Sequence, residues 1–145
     1  MSQGWLGVVS RSHVWRGVEG GFAQVCHGKV QFLRRMKKGD IFVYYSPSVE
    51  IQGAPLKAFT ALGIIQDDEV FEFDMGEGFV PFRRRVRYAV AQEVALDGVR
   101  GDLDLCVPPN WGIVLRRGLI PLTEKDVCSI ARAMGVDLDE LRRSQ

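Results

Sequence analysis

What most constrains the fold of this chain is a succession of β-prone runs through its middle with no long helical pattern between them. Ile41-Phe42-Val43-Tyr44-Tyr45-Ser46 is continuously rich in β-formers, as a strand covered on both faces must be. Pro47 is expected to end it, since a proline has no N–H to give to a ladder. A second run spans residues 58–65, with Gly63 marking a bend or bulge. The acidic Asp67-Asp68-Glu69 then reads as a turn into Val70-Phe71-Glu72-Phe73, and Gly76-Glu77-Gly78 as another turn. Residues 81–94 follow as the longest alternating segment. Strands joined this tightly lack the alternation with helices that builds a parallel sheet. The expectation is α+β, with a curled or barrel-like sheet.

Helical signals sit toward the ends. A short buried strand over residues 5–10 is followed by Ser12, a candidate N-cap for one or two turns around His13, Val14 and Trp15. The clearest helix is residues 124–134. Thr123 caps it with Asp126 three positions on, Leu122 and Val127 form a staple, and Gly135 stands beyond its end. Val127, Ile130, Ala131 and Met134 share one of its faces, which marks it as scaffold.

At 145 residues and 46% hydrophobic, the chain fits one domain, 1–145, with a real core. Its formal net charge is only +1, so any footprint for a polyanion must come from local clustering. Cys26, Cys106 and Cys128 are scattered, odd in number and without CxxC spacing, which argues against a disulfide framework and for a reducing compartment. No leader pattern and no run of about 18 apolar residues is present, so a soluble cytoplasmic protein without membrane association is expected. Zinc-ligand spacing and dinucleotide or P-loop fingerprints are absent, and neither a metal nor a cofactor is expected. Cys26 and His27 are adjacent, and on a strand they would point to opposite faces, which defeats a base-activated nucleophile.

Residues 17–29 are where glycines and ionisable side chains crowd together: Glu19, Gly20, Gly21, Gln24, His27 and Lys29. Glycine tolerates positive φ and close approach, so this backbone is shaped either around a ligand or simply around two bends. Phe82, Arg84, Val86, Tyr88 and Val90 alternate with Arg83, Arg85, Arg87 and Ala89. Arg84 thus falls among apolar residues, where it must join a buried ion pair, with Glu19 a candidate, or line a pocket. Arg83, Arg85 and Arg87 share the other face at about 6.6 Å spacing, which suits phosphates or simply a solvated face. Lys37 and Lys38, in a basic turn near Arg34 and Arg35, are further phosphate candidates. Among the aromatics, Tyr45 with Ser46 at a strand end and Trp111 in a Pro-Pro loop are kept for a pocket that holds a nucleobase by stacking.

These motifs in order, Gly17-Val18-Glu19-Gly20-Gly21, Gln24, His27-Gly28-Lys29, Leu33-Arg34-Arg35-Met36, Gly39-Asp40, Tyr44-Tyr45-Ser46-Pro47, Phe59-Thr60-Ala61-Leu62-Gly63, residues 81–86 and Arg116-Arg117-Gly118-Leu119, closely resemble the EVE domain family over nearly the whole chain. The resemblance implies a PUA-like open β-barrel, or pseudobarrel, with flanking helices, related to YTH and ASCH domains. It also implies a reader of modified bases, chiefly modified cytosine in DNA, working without catalysis, with a restriction or regulatory protein as its expected partner. On that resemblance the pocket would be built from the glycine stretch, Tyr45-Ser46-Pro47, the residue 81–86 strand and the Trp111 loop, and within those segments the residues themselves point to Glu19, Gly20, Gly21, Gln24, His27, Lys29, Tyr45, Ser46, Arg84 and Trp111 as the expected base pocket. Two alternatives stand beside it: an ASCH-like hydrolase of acylated cytosine using Lys29, Glu19 and Thr60, and a general RNA-binding PUA-like domain.

Overall fold

A computed structural model describes residues 3–143. Seven strands form one sheet: β1 (Gly4–Val8), β2 (Phe22–Ala23), β3 (Ile41–Ser48), β4 (Pro55–Glu72), β5 (Phe82–Tyr88), β6 (Val94–Ala95) and β7 (Leu119–Leu122). The strand order is β2-β5-β4-β3-β1-β7, with β6 added to β4. Every pair is antiparallel except β1 with β3, which run parallel because the intervening helices carry the chain back. The helices are α1 (Arg11–Gly20), α2 (Val30–Leu33), α3 (Leu96–Val99), α4 (Trp111–Val114), α5 (Glu124–Ala133) and α6 (Leu138–Arg143). The architecture is mixed α+β.

β3 is the spine. Its odd residues Ile41, Val43 and Tyr45 enter one core, beneath Val127, Ile130, Ala131 and Met134 of α5. Its even residues Phe42 and Tyr44 enter the other, with Val14 of α1 and Leu33 of α2. Period-two alternation therefore feeds two cores from one strand, which is why its sequence is apolar throughout. The Thr123 cap is in place, its hydroxyl accepting from the Asp126 N–H at 3.2 Å.

Several elements differ from expectation, each for a visible reason. β3 continues through Pro47 because a register shift between Ser46 and Ser48 spares the ladder that proline would break. Asp67-Asp68-Glu69 is no turn. β4 runs straight through as one strand of 18 residues with a bulge between Ile65 and Val70. There the Asp67 carbonyl accepts from Arg84 and its carboxylate pairs with Arg85 at 3.2 Å, so the acids are held within the sheet. β5 stops at Tyr88, and Val90, expected to face inward, is fully exposed. α1 starts at Arg11, with Ser10 in the capping position, and runs ten residues. Trp111 lies in a short helix, with the Arg100 guanidinium 5.0 Å above its ring.

The sheet does not close into a barrel. Its path ends at β2 on one side and β7 on the other. The segments beside those ends nonetheless approach: Cys26 Sγ donates to the Arg117 carbonyl at 3.5 Å. That contact depends on Gly118, with φ at 78°, where a Cβ would lie 2.7 Å from Cys26 Sγ. The gap between the sheet's ends is where the candidate site lies.

Candidate functional site

After β2 the chain makes a left-handed turn. Cys26 and His27 hold φ of 51° and 58°, a conformation that costs side-chain-bearing residues about 1–2 kcal/mol each. Gly28 follows at φ 72°, and a Cβ there would come within 2.3 Å of Pro81, so only glycine lets this turn press against β5's approach. Backbone strain persists where surrounding structure over-determines it, and here it holds a cavity wall.

The cavity measures about 570 Å3, within the range of about 300–1,000 Å3 typical of small-molecule sites. Val8, Val9 and Ser10, leaving β1, form one side. Gln24 to His27, with Lys29 and Phe32, form a second, and Leu115 to Gly118 a third. His13 of α1 lies in the wall, and Ile51 and Phe79 stand at the lip, 82% and 44% exposed. The charged groups lining it are all basic: Lys29, Arg116 and Arg117, each exposed. Arg35 extends this rim along a neighbouring depression shared with Phe32, Arg116 and Arg117. A chain of net charge +1 has thus concentrated cations around one opening.

Gln24 is 5% exposed and sits at the centre of a hydrogen-bond set. Its N–H donates to Tyr44 Oη at 3.1 Å, and its carbonyl accepts from His13 Nε2 at 2.9 Å. Its side-chain Oε1 accepts from Arg83 Nε at 2.9 Å. Arg83, 7% exposed, is sandwiched between the rings of Phe22 and Phe73 at 3.7 and 4.0 Å. Because a carbonyl only accepts, the His13 Nε2 carries the proton. Burial holds the His13 pKa below 6.5, with Arg16 and Arg83 adding to the effect against the Gln24 hydrogen bond, so the ring is neutral at pH 7 with Nδ1 as an acceptor. Burial pushes the Tyr44 phenol up to about 12 and the Cys26 thiol above its usual range, the latter against the pull of Lys29 and Arg35. Cys26 is therefore a thiol, not a thiolate nucleophile.

Of the residues singled out in sequence, the fold brings Gln24, His27 and Lys29 together on this wall. Glu19 and Gly20 lie exposed at the end of α1, with Gly21 just beyond. Tyr45 and Ser46 are in the core, where Ser46 and Thr60 share a hydrogen bond of 2.9 Å. Lys29, Glu19 and Thr60 are thus not gathered around the cavity. Arg84, 1% exposed, donates to the carbonyls of Leu33, Met36 and Asp67, so its partners are backbone oxygens where Glu19 had been the candidate. The expected row of surface arginines is divided. Arg83 is buried against Gln24, Arg85 pairs with Asp67 and Glu69, and Arg87 donates to the Leu141 carbonyl at 2.7 Å. Lys37 and Lys38 project from an exposed turn.

Residues 3–133 match the EVE domain family. The chain belongs to that family. A UPF0310 protein of Renibacterium salmoninarum is 47% identical over 135 residues, covering 92% of this chain and 96% of that one. The UPF0310 protein YdcG of Bacillus subtilis is 37% identical over 136 residues, covering 92% and 93%. Among solved structures, the crystal structure of Atu2648 from Agrobacterium tumefaciens is similar with a TM-score of 0.59 over 93% of this chain and 94% of that one. At 17% identity it shows the fold alone. No helix among the described residues of this EVE domain is long and apolar enough to cross a membrane.

Sequence reasoning missed His13, Arg116 and Arg117 as wall residues of the EVE cavity. A signal existed for the last two, an Arg-Arg-Gly turn leading into a strand. His13 carried none, since its place depends on how α1 docks.

Proposed function

We propose that this EVE domain binds nucleic acid by receiving one extruded base, a modified cytosine in DNA, in the gap between the sheet's ends. The sheet there is the open side of a PUA-like pseudobarrel. The observation that carries the reading is the cavity's composition: about 570 Å3, apolar faces from Phe32, Ile51 and Phe79, polar groups from Gln24 and His13, and a rim whose charges are all positive. A flat heterocycle packs against the apolar faces, polar atoms pair with its edge, and Lys29, Arg35, Arg116 and Arg117 meet the flanking phosphates. The role is recognition, with no chemistry performed on the base.

The test is a fluorescence-anisotropy titration of the full chain with single-stranded and duplex oligonucleotides carrying methylated or unmodified cytosine, repeated at several salt concentrations. The expected result is tighter binding to the methylated oligonucleotide and affinity that falls linearly in log–log form with salt. Equal binding to both removes the modified-base reading. Absence of salt-dependent binding to any of them removes the nucleic-acid reading itself.

A further inference from the structure

Ile51 stands in the tight turn between β3 and β4, 82% exposed, and lines the lip of the cavity. Turn preference does not put it there: the central positions of tight turns favour glycine, asparagine, aspartate or proline, and a β-branched side chain is a poor choice. The turn is nonetheless firmly held. Gly53 N–H donates to the Glu50 carbonyl at 2.8 Å, Val49 N–H to the Ala54 carbonyl at 3.0 Å, and Ser48 Oγ to the Glu50 carbonyl at 2.6 Å. Gln52, the residue after Ile51, takes a φ of 57°, where glycine is usual. From outside the hairpin, the Ser12 N–H, in the first turn of α1 where the helix itself offers no acceptor, donates to the Val49 carbonyl at 3.0 Å. That bond ties the turn to the helix that brings His13 to the cavity wall. A stiff apolar side chain is thus presented to solvent by a fixed turn, at the mouth of an opening whose charged rim is basic.

Resting on the nucleic-acid reading, we infer that Ile51 is a wedge: when a base leaves a duplex for the cavity, the Ile51 side chain enters the stack at the place that the base vacates. Extrusion unstacks the target from its neighbours and opens an apolar gap between them, and inserted apolar side chains, isoleucine among them, offset that cost. An Ile51 side chain moving from water into the gap gains the transfer free energy that its exposure in the free protein forgoes. The other two large apolar side chains at the cavity are more covered. Phe32 is half-buried, and Phe79 is 44% exposed on a hairpin where the Met75 N–H donates to its carbonyl at 2.9 Å. Both remain to face the base. The wedge acts on duplexes alone, because only a complementary strand holds the gap open once the base has left. Single-stranded and duplex forms of one sequence therefore separate the wedge from the cavity.

The experiment titrates the full chain with one oligonucleotide carrying a central 5-methylcytosine, as a single strand and as the duplex with its complement. Ile51→Ala is expected to weaken duplex binding about tenfold and single-strand binding by less than about twofold. Ile51→Leu, which keeps the apolar bulk, should hold duplex binding within about threefold of wild type. Because Ile51 is exposed, neither variant should move the thermal midpoint by more than about two degrees, so a loss of binding is not a loss of fold. Phe79→Ala, at the same lip, should weaken both forms alike, since it faces the base in either. Duplex binding unchanged in Ile51→Ala overturns the wedge, and so does an equal loss on both forms, which makes Ile51 one more wall of the cavity. Wild type that binds the single strand and not the duplex also overturns the wedge while leaving the nucleic-acid reading in place. No binding to either form overturns the nucleic-acid reading, and this inference falls with it.

Discussion

Replacing Arg84 with methionine tests whether the most buried cation in the chain is there for the backbone. Its guanidinium is the donor for three carbonyls, that of Leu33 at the end of α2, that of Met36 three residues beyond it and that of Asp67 in the β4 bulge, while its Nε has no partner. Methionine fills similar length with no donor, so the buried Met36 carbonyl loses its partner, the Leu33 carbonyl keeps only the Met36 N–H at 3.4 Å, and the part-buried Asp67 carbonyl turns to water, at about 1–3 kcal/mol for each oxygen left unpaired and at most roughly 3–9 in total. Against that, the variant no longer buries an ion, which recovers several kcal/mol, and no longer leaves an N–H unsatisfied. The net expectation is a loss of about 2–4 kcal/mol. With an unfolding entropy of about 2.1 cal/mol/K per residue, 145 residues give about 0.3 kcal/mol per degree, and the midpoint should fall by about 7–13 °C. Urea denaturation and calorimetry measure both quantities. Arg84→Lys should lie between, since one ammonium cannot span carbonyls from two elements as a planar fork does. A methionine variant as stable as wild type, or more so, would refute the reasoning. The burial cost would then outweigh the carbonyl contacts, as happens when some buried ion pairs are replaced by apolar groups.

His13 is neutral in the folded chain because burial lowers its pKa below 6.5, so between that lowered value and 6.5 the unfolded chain binds more protons and stability must rise with pH. Wild type should lose stability relative to His13→Gln as pH falls below about 6.5, read as the difference in urea midpoints at pH 5 and pH 7.5; parallel curves would remove the assignment. Gly118→Ala should cost about 1–2 kcal/mol, because it forces a side chain onto φ of 78° and against Cys26 Sγ, and a urea midpoint unchanged within error would count against a fixed contact between the sheet's ends. Arg116→Ala should weaken oligonucleotide binding uniformly across central bases and reduce the salt slope by about 0.7 on single strands, whereas a base-dependent loss would place Arg116 at the base and not at a phosphate.

The α5 helix, its Thr123 cap and the two-faced burial of β3 were legible in the sequence because capping and periodicity act within a few residues. The EVE resemblance was legible too, carried by motifs in order along the chain. The Asp67-Asp68-Glu69 segment misled, since acids without visible partners read as a solvated turn. The partners of Asp67, Arg84 and Arg85, lie 17 and 18 residues away and reach it only across the ladder, and Asp68 is met by the Lys38 N–H 30 residues away. The arginine row misled similarly. Alternation assigns faces, and it placed Arg83 outward, but β2 and the β4–β5 connection cover that face with Phe22 and Phe73 and turn the residue into part of the interior.

By itself the sequence determined the capped α5 helix, the covered central strand and the family, because those follow from local periodicity, capping and the order of motifs. Tertiary structure alone decided where the cavity is and who lines it. Its walls come from residues 8–10, 24–32 and 115–118, which meet only where the curled sheet fails to close. No spacing along a chain encodes a gap between two edges; it exists once the strands have chosen their neighbours.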